Sequence, residues 1–168
     1  MLCQFLDGEF VPDVVDEAVS YLLQCARLLD SIVIPATTAV GFPQEAMPAI
    51  LCHHAIWIVH EGEDFFLIEI DVSQMSLMVW STHARPAVVH WIRCVLEAMM
   101  PVNSRIHSGW WVLMEHHFPK VGVTSAMSVL MTNLYRHLMR VPEIPSPDVT
   151  TAGYVMLRIF GHFADLFA

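Results

Sequence analysis

The sequence predicts a single α+β domain, in which a central sheet of four to five antiparallel or mixed strands is flanked by helices. Three short runs of β-branched and aromatic residues follow one another with polar turns between them, which is the pattern of a meander. Other stretches carry apolar residues at helical spacing. The length of 168 residues is typical of one domain.

The first predicted helix begins at Pro12, because apolar residues recur at intervals of three to four over positions 15–23. The β-branched run 31–34 predicts a short strand or extended turn. Prolines and a glycine between positions 35 and 48 then indicate a loop.

The three meander strands are predicted over 55–59, 65–70 and 76–80, with the polar residues 61–64 forming the first turn. These strands are apolar on both of their faces. We therefore expect helices to cover at least part of each side of the sheet.

A second helix is predicted from Pro86 until Pro101 stops it. A fourth strand is predicted over 110–114. A third helix follows, with apolar residues at helical spacing from Met127, and it must end near Arg140 because Pro142 comes next.

The chain is divided into an α+β domain over 1–141 and a C-terminal part over 142–168. The C-terminal part consists of a proline-bearing linker and an apolar helix that Thr150 or Thr151 caps. This helix is apolar almost all round and must be buried. Docking on its own domain, docking on a partner protein and forming an oligomer are all left open.

Charge and composition exclude some classes of function. The net charge is −9 with only 8 Lys+Arg and no basic cluster, so nucleic-acid binding is not expected. Charged residues make up only 15% of the chain, which favours a surface covered by a partner. A membrane span is not expected either, because Pro35, Pro43, Glu45 and Pro48 interrupt the apolar runs.

No metal, cofactor or disulfide is predicted. The four cysteines are scattered singly and no secretory leader is recognised, so we expect an intracellular protein, cytoplasmic or nuclear. The pairs His53-His54 and His116-His117 consist of adjacent residues, which point to opposite faces of a strand and cannot easily chelate one ion.

Tryptophans are candidates for a binding groove, because large aromatic side chains anchor partners at interfaces. Most of the five are expected in the core, and Trp80, Trp110 and Trp111 are the candidates for the groove. Ser125, near the start of the third helix, is either a helix cap or a nucleophile that still lacks a base.

Residues 64–71 (DFFLIEID) resemble the catalytic-histidine strand of the ubiquitin-like-protein-specific cysteine proteases, the SUMO-protease-like family. That strand runs His-Trp, one residue, Leu, two residues and Ile-Asp. Positions 10–13 (FVPD) and 79–82 (VWST) are similar to two further motifs of the family, and Trp111, Pro119 and positions 124–126 (TSA) to a third. The resemblance spans Phe10 to Leu138 and implies a papain-like core with a ubiquitin-like protein as partner.

The departures from the family pattern imply that the chemistry has been lost. The catalytic histidine falls on Asp64, the acid that orients it on Ser81 and the nucleophilic cysteine on Ser125. The oxyanion glutamine falls on Lys120 or Val121. The family's reaction needs a thiolate beside an imidazolium.

A carboxylate facing a serine hydroxyl supplies neither of these groups. The resemblance therefore implies an inactive protease-like domain that binds a protein. Phe65 stands where the family's tryptophan covers the channel for the substrate tail.

Two alternatives remain open at this point. One is a structural subunit unrelated to proteases, buried in a larger assembly through its last helix. The other is an unusual hydrolase that uses His60, Asp64 and Ser125, or His83, if the strand order brings these residues to one end of the sheet.

Overall fold

The computed structural model of the chain describes residues 11–36, 54–61, 64–99, 112–117, 126–141 and 149–166. Strands and helices alternate irregularly over these ranges, which confirms the predicted α+β class. The elements in chain order are α1 (Pro12–Cys25), β1 (Ile32–Ile34), β2 (His54–Glu61), β3 (Asp64–Asp71), β4 (Ser76–Ser81), α2 (Pro86–Met99), β5 (Val112–His117), α3 (Ala126–Leu138) and α4 (Val149–Leu166).

The five strands form one mixed sheet in the order β1-β2-β3-β4-β5. The central strands β2, β3 and β4 are antiparallel, with Trp57 opposite Ile68 and Ile68 opposite Val79, so the predicted meander is confirmed. The edge strands β1 and β5 lie parallel to their neighbours β2 and β4. The sheet is therefore mixed, with an antiparallel centre and parallel edges.

Helices α1, α3 and α4 cover one face of the sheet. Alternation along the strands places Ile56, Ile58 and Leu67 on this face, and they form one core cluster with Leu22 of α1 and Leu130 of α3. The helix residues buried on this face lie mostly on the apolar stripes that the sequence predicts.

Helix α2 covers the opposite face. The residues of the alternate register, among them Trp57, Phe66 and Ile68, form a second core cluster with Val89 and Ile92 of α2. Helices therefore lie on both faces of the apolar meander, as expected.

Helix α4 packs on the domain through one of its sides. Val155, Ile159 and Phe163 are at most 4% exposed and join the first core cluster. His162 of α4 stacks on Tyr21 of α1 with 4.2 Å between ring centroids. The contacts of α4 thus include a fully buried face against α1 and α3.

The start of α4 differs from the expectation. The helix begins at Val149, so Thr150 and Thr151 lie inside its first turn and neither is the cap. The helix therefore begins two or three residues earlier than a cap at Thr150 or Thr151 would give.

The other side of α4 is apolar and open. Tyr154, Leu157 and Phe160 are 53%, 69% and 41% exposed. A Cβ added at Gly153 or Gly161 meets nothing within 4 Å. We call this face, formed by residues 153, 154, 157, 160 and 161, the α4 apolar row. Within the ranges that the structure describes, no helix combines the length and the apolar character needed to cross a membrane.

Candidate functional site

The sheet end that carries the predicted chemistry is formed by the start of β3 and the end of β4. Asp64 is the first residue of β3 and pairs with Glu61, and Ser81 is the last residue of β4. Leu67 pairs with Trp80, so the antiparallel register brings Asp64 and Ser81 to the same end of the sheet. For Asp64 the structure describes the backbone.

The side chains at this sheet end are engaged with each other and with the backbone. Phe65 is 8% exposed and its ring stacks on His60 with 5.0 Å between centroids. Ser81 is buried, and its hydroxyl donates a hydrogen bond to the backbone carbonyl oxygen of His83. Because neighbouring residues of a strand point to opposite faces, Ser81 faces away from the side on which Trp80 packs.

The remaining predicted site residues lie outside the described ranges. They are Trp110, Trp111, Lys120, Val121 and Ser125. The fourth strand is described from Val112, so the predicted start of that strand at Trp110 also stays a prediction.

A large cleft opens on the face of the sheet that α1 and α3 cover. Its volume is about 1120 Å³. Two of the predicted groups lie in its wall, Trp80 and the pair His116-His117. The other polar residues that line it are Cys25, Arg27, His54, Glu69, Asp71, Gln74, Asn133, Arg136, His137 and Arg140. The ends of α1 and α3 and the edge strand β5 therefore meet around one concavity.

Trp80 contacts two histidines of the cleft, His116 and His137. Its ring stacks on His116 with 4.6 Å between centroids and meets His137 edge-on at 5.2 Å. Trp80 is 7% exposed, so it forms part of the wall and little of it faces solvent. Among the described residues its Nε1 donates no hydrogen bond.

Glu69 is the buried acid of the cleft. It is 7% exposed and receives hydrogen bonds from two histidines. His54 Nε2 donates to Oε1 at 2.6 Å, and His137 Nε2 donates to the same Oε1 at 3.1 Å. His137 Nε2 also lies 2.8 Å from Oε2 as an ion-pair contact, but Oε2 has no hydrogen-bond partner among the described residues. Both imidazoles therefore hold their Nε2 proton toward the carboxylate.

The pKa of Glu69 shows that these contacts dominate its environment. Burial alone would raise the pKa of this carboxyl group. Hydrogen bonds and attraction from His137 and His54 outweigh burial and lower the pKa from its usual 4.5 to about 2. Glu69 is thus a carboxylate at neutral pH.

Ser31 extends the contact of His54 with Glu69 into a line of three residues. Ser31 Oγ lies 2.7 Å from His54 Nδ1. In the tautomer whose Nε2 proton is directed to Glu69, Nδ1 of His54 accepts a hydrogen bond from the hydroxyl of Ser31. Serine, histidine and an acid in this order can polarise a hydroxyl. Ser31 itself is not among the lining residues of the cleft.

Arg136 is a buried cation in the cleft wall. It is 6% exposed, and its Nε, Nη1 and Nη2 have no hydrogen-bond partner among the described residues. Its place in the last turn of α3 lets the helix dipole favour the charge by about 0.3–1 kcal/mol. Desolvation of a guanidinium costs several kcal/mol, roughly, so the dipole does not offset it.

Two further arginines of the cleft sit at helix ends in an uncommon backbone conformation. Arg27 after α1 has φ 61°, and Arg140 after α3 has φ 52°. At each end the residue after the arginine donates back to the helix, Leu28 N to Leu23 O and Val141 N to Arg136 O. Glycine is the usual residue at this left-handed position of the cap.

The polar cleft was not predicted from the sequence. The sequence predicts Glu69 only as part of a strand, and a carboxylate within an otherwise apolar strand is the signal that could have indicated a buried acid. Its partners His54 and His137 come from β2 and α3, far away in the sequence. Within the part of the chain that the structure describes, no group of three or more His, Cys, Asp or Glu side chains is arranged to hold a metal ion.

The chain is similar in structure to solved SUMO protease domains. One is the C-terminal Ulp1 protease domain in complex with Smt3, the yeast orthologue of SUMO, with a TM-score of 0.67 and 7% identity over 94% of this chain and 78% of that one. Another is SUMO protease Ulp1 with its catalytic cysteine oxidised to a sulfenic acid, with a TM-score of 0.63, 8% identity and the same coverage.

A third is Ulp1 with the cysteine oxidised to a sulfinic acid, at a TM-score of 0.63 and 9% identity over 95% of this chain and 78% of that one. No protein-family model and no curated protein sequence matches the chain. The structural likeness confirms the predicted fold, a papain-like SUMO-protease core.

Proposed function

We propose that this chain is a SUMO-protease-like domain that does not cleave and that acts by binding a protein. The observation that carries the proposal is the state of the sheet end. The resemblance puts Asp64 and Ser81 where the histidine and its orienting acid stand, and the Ser81 hydroxyl is engaged by the carbonyl of His83. A cysteine protease needs a thiolate and an imidazole within hydrogen-bond reach.

The partner in this proposal is a ubiquitin-like protein. Its support is the fold shared with a protease domain that was solved in complex with Smt3. By the resemblance Phe65 stands where the family's tryptophan stands. Its ring is 8% exposed and stacks on His60, so the two rings together are the aromatic contact that the proposal assigns to the partner. An intracellular location, cytoplasmic or nuclear, belongs to the same proposal.

A calorimetric titration with SUMO and with ubiquitin tests the binding. Phe65→Leu is expected to weaken binding, because it removes the aromatic ring at the proposed contact. Phe66→Leu is the matched control, since Phe66 is the next residue, is fully buried and packs on the opposite face of the sheet.

Both variants lose part of a buried ring, so both lower stability by a similar amount of about 1 kcal/mol or more. Loss of binding in Phe65→Leu alone supports the proposal. Equal binding by both variants, or no binding of either partner by the wild-type chain, argues against it.

The α4 apolar row favours a second candidate, a subunit that self-associates through this helix. Leu157 is 69% exposed at the centre of the row, with Tyr154 and Phe160 beside it. The open space at Gly153 and Gly161 lets a second backbone approach closely. The occupant proposed here is a second copy of the chain, packed helix against helix.

The line Ser31–His54–Glu69 favours a third candidate, a serine hydrolase. A fluorophosphonate probe labels an activated serine covalently and tests this directly. Labelling that disappears in Ser31→Ala and survives in Ser73→Ala would establish the hydrolase and overturn the non-cleaving proposal. Ser73 is a suitable control because it is exposed and bonds to Asp71, outside this line.

A further inference from the structure

The cleft contains buried nitrogen atoms that donate no hydrogen bond to any described residue. These donors are the three side-chain nitrogens of Arg136 and the Nε1 of Trp80. Glu69, the buried acid of the same cleft, receives His54 and His137 at Oε1, and its Oε2 also has no hydrogen-bond partner among the described residues. Neither oxygen of Glu69 accepts from Arg136, so it is this guanidinium that lacks an acceptor.

An unpaired guanidinium that is buried is costly, since its charge is removed from water without compensation. Such a group in a native protein calls for an explanation, and an ion that binds there is one. The fork of a guanidinium matches the oxygens of a phosphoryl or carboxylate group in two parallel hydrogen bonds.

The charges around Arg136 favour an anion as well. The chain has 8 Lys+Arg against 17 Asp+Glu. Among its described residues the cleft collects three arginines, Arg27, Arg136 and Arg140, against Glu69 and Asp71. A strongly acidic protein thus has a locally basic cleft.

The backbone conformation of Arg27 and Arg140 also favours an anion in the cleft. Both residues adopt the left-handed conformation at φ 61° and 52°, which disfavours a residue with a side chain. Glycine would close both helices without this cost. Keeping an arginine at both positions is understandable when the two side chains serve the cleft they line.

We propose that this cleft binds a small oxyanion ligand, with a phosphoryl or carboxylate group held by the guanidinium of Arg136 and with Arg27 and Arg140 adding positive charge around it. A volume of about 1120 Å³ is on the scale of sites for small molecules. The inference is independent of the protein-binding proposal, because it rests on side chains of the cleft alone.

The test is the thermal unfolding midpoint of the whole chain with inorganic phosphate, pyrophosphate or citrate, each at an ionic strength matched with sodium chloride. The matching is needed because multivalent anions also stabilise proteins without binding to a site. Wild type is compared with Arg136→Met and with Arg158→Met, an exposed arginine on α4 that does not line the cleft.

We expect one or more of the three anions to raise the midpoint of wild type and Arg158→Met, and to leave Arg136→Met unchanged. A shift with the phosphates alone assigns a phosphoryl ligand, and a shift with citrate alone assigns a carboxylate. Calorimetry should then show a Kd weakened by about tenfold or more in Arg136→Met.

The ligand-free proteins give a second reading. Arg136→Met should unfold at a higher temperature than wild type, because the substitution removes an uncompensated charge from the cleft wall. A lower midpoint without ligand, shifts that are equal in all three proteins, or no shift with any anion would each overturn the proposal.

Discussion

Arg27 and Arg140 end α1 and α3 in the same left-handed backbone conformation, and both residues line the same cleft. The two helices come from opposite ends of the domain sequence. Their caps nevertheless share one hydrogen-bond pattern, in which the residue after the arginine donates to a carbonyl five positions earlier. The arrangement concentrates positive charge where the buried Arg136 lies.

Replacing Arg140 by glycine should stabilise the free protein. Glycine adopts φ 52° without steric cost, so Arg140→Gly is expected to raise the free energy of unfolding by roughly 0.5–1 kcal/mol. Urea unfolding measures this. Arg93→Gly inside α2 is the opposite control, because glycine in a helix interior lowers stability. An Arg140→Gly variant that is less stable than wild type contradicts the assignment of strain.

The low pKa of Glu69 predicts that the free energy of unfolding decreases as the pH falls. Its pKa in the folded chain, about 2, is below the usual 4.5, so the unfolded chain takes up the proton first as the pH falls. The contribution of Glu69 is complete above about pH 4.5 and is lost between there and pH 2. It amounts to on the order of 3 kcal/mol.

Chemical denaturation at pH 6 and pH 3 measures this contribution against Glu69→Gln, which cannot ionise. The stability difference between wild type and the variant should shrink at pH 3. An unchanged difference would show that the two histidines do not hold Glu69 as a carboxylate.

The two sides of α4 should respond differently to truncation. Phe163→Ala removes a side chain that is 4% exposed and should cost about 3–5 kcal/mol. Phe160→Ala removes one that is 41% exposed and should cost less than about 1 kcal/mol. The comparison is made by urea unfolding, and similar costs would mean that α4 does not dock on the domain through the Phe163 face.

Leu157→Glu tests the α4 apolar row. Leu157 is 69% exposed, so the folded monomer should tolerate the charge within about 0.5 kcal/mol. Sedimentation velocity should show wild type associating with rising concentration and the variant remaining monomeric. Asp165→Lys changes the charge of an exposed α4 residue outside the row and serves as a control. A wild type that is monomeric at every concentration removes the self-association candidate.

Local patterns of the sequence were sufficient for most of the fold. The meander was predicted because β2, β3 and β4 are consecutive and joined by short polar turns, and α3 because its stripe is strictly periodic. The beginning of α4 was misjudged at Thr150 and Thr151, because an inner threonine and a capping one look alike in the sequence.

Local sequence patterns do not predict the cleft, because its residues are far apart in the sequence and meet only in the folded chain. Glu69 is 15 residues from His54 and 68 from His137, and Ser31 is a further 23 from His54. A buried guanidinium without a partner is likewise a property of packing. In the sequence Arg136 is one basic residue in the last turn of a helix.

The most direct measurement of the central claim is a cleavage assay on SUMO and ubiquitin that carry a fluorogenic amide at the C-terminus. The chain is used at concentrations where calorimetry shows binding, with an active SUMO protease as the positive control. The account predicts bound partner and no release of the fluorophore above the rate without protein. Release that depends on the chain and is lost on mutation of one of its own side chains would contradict it.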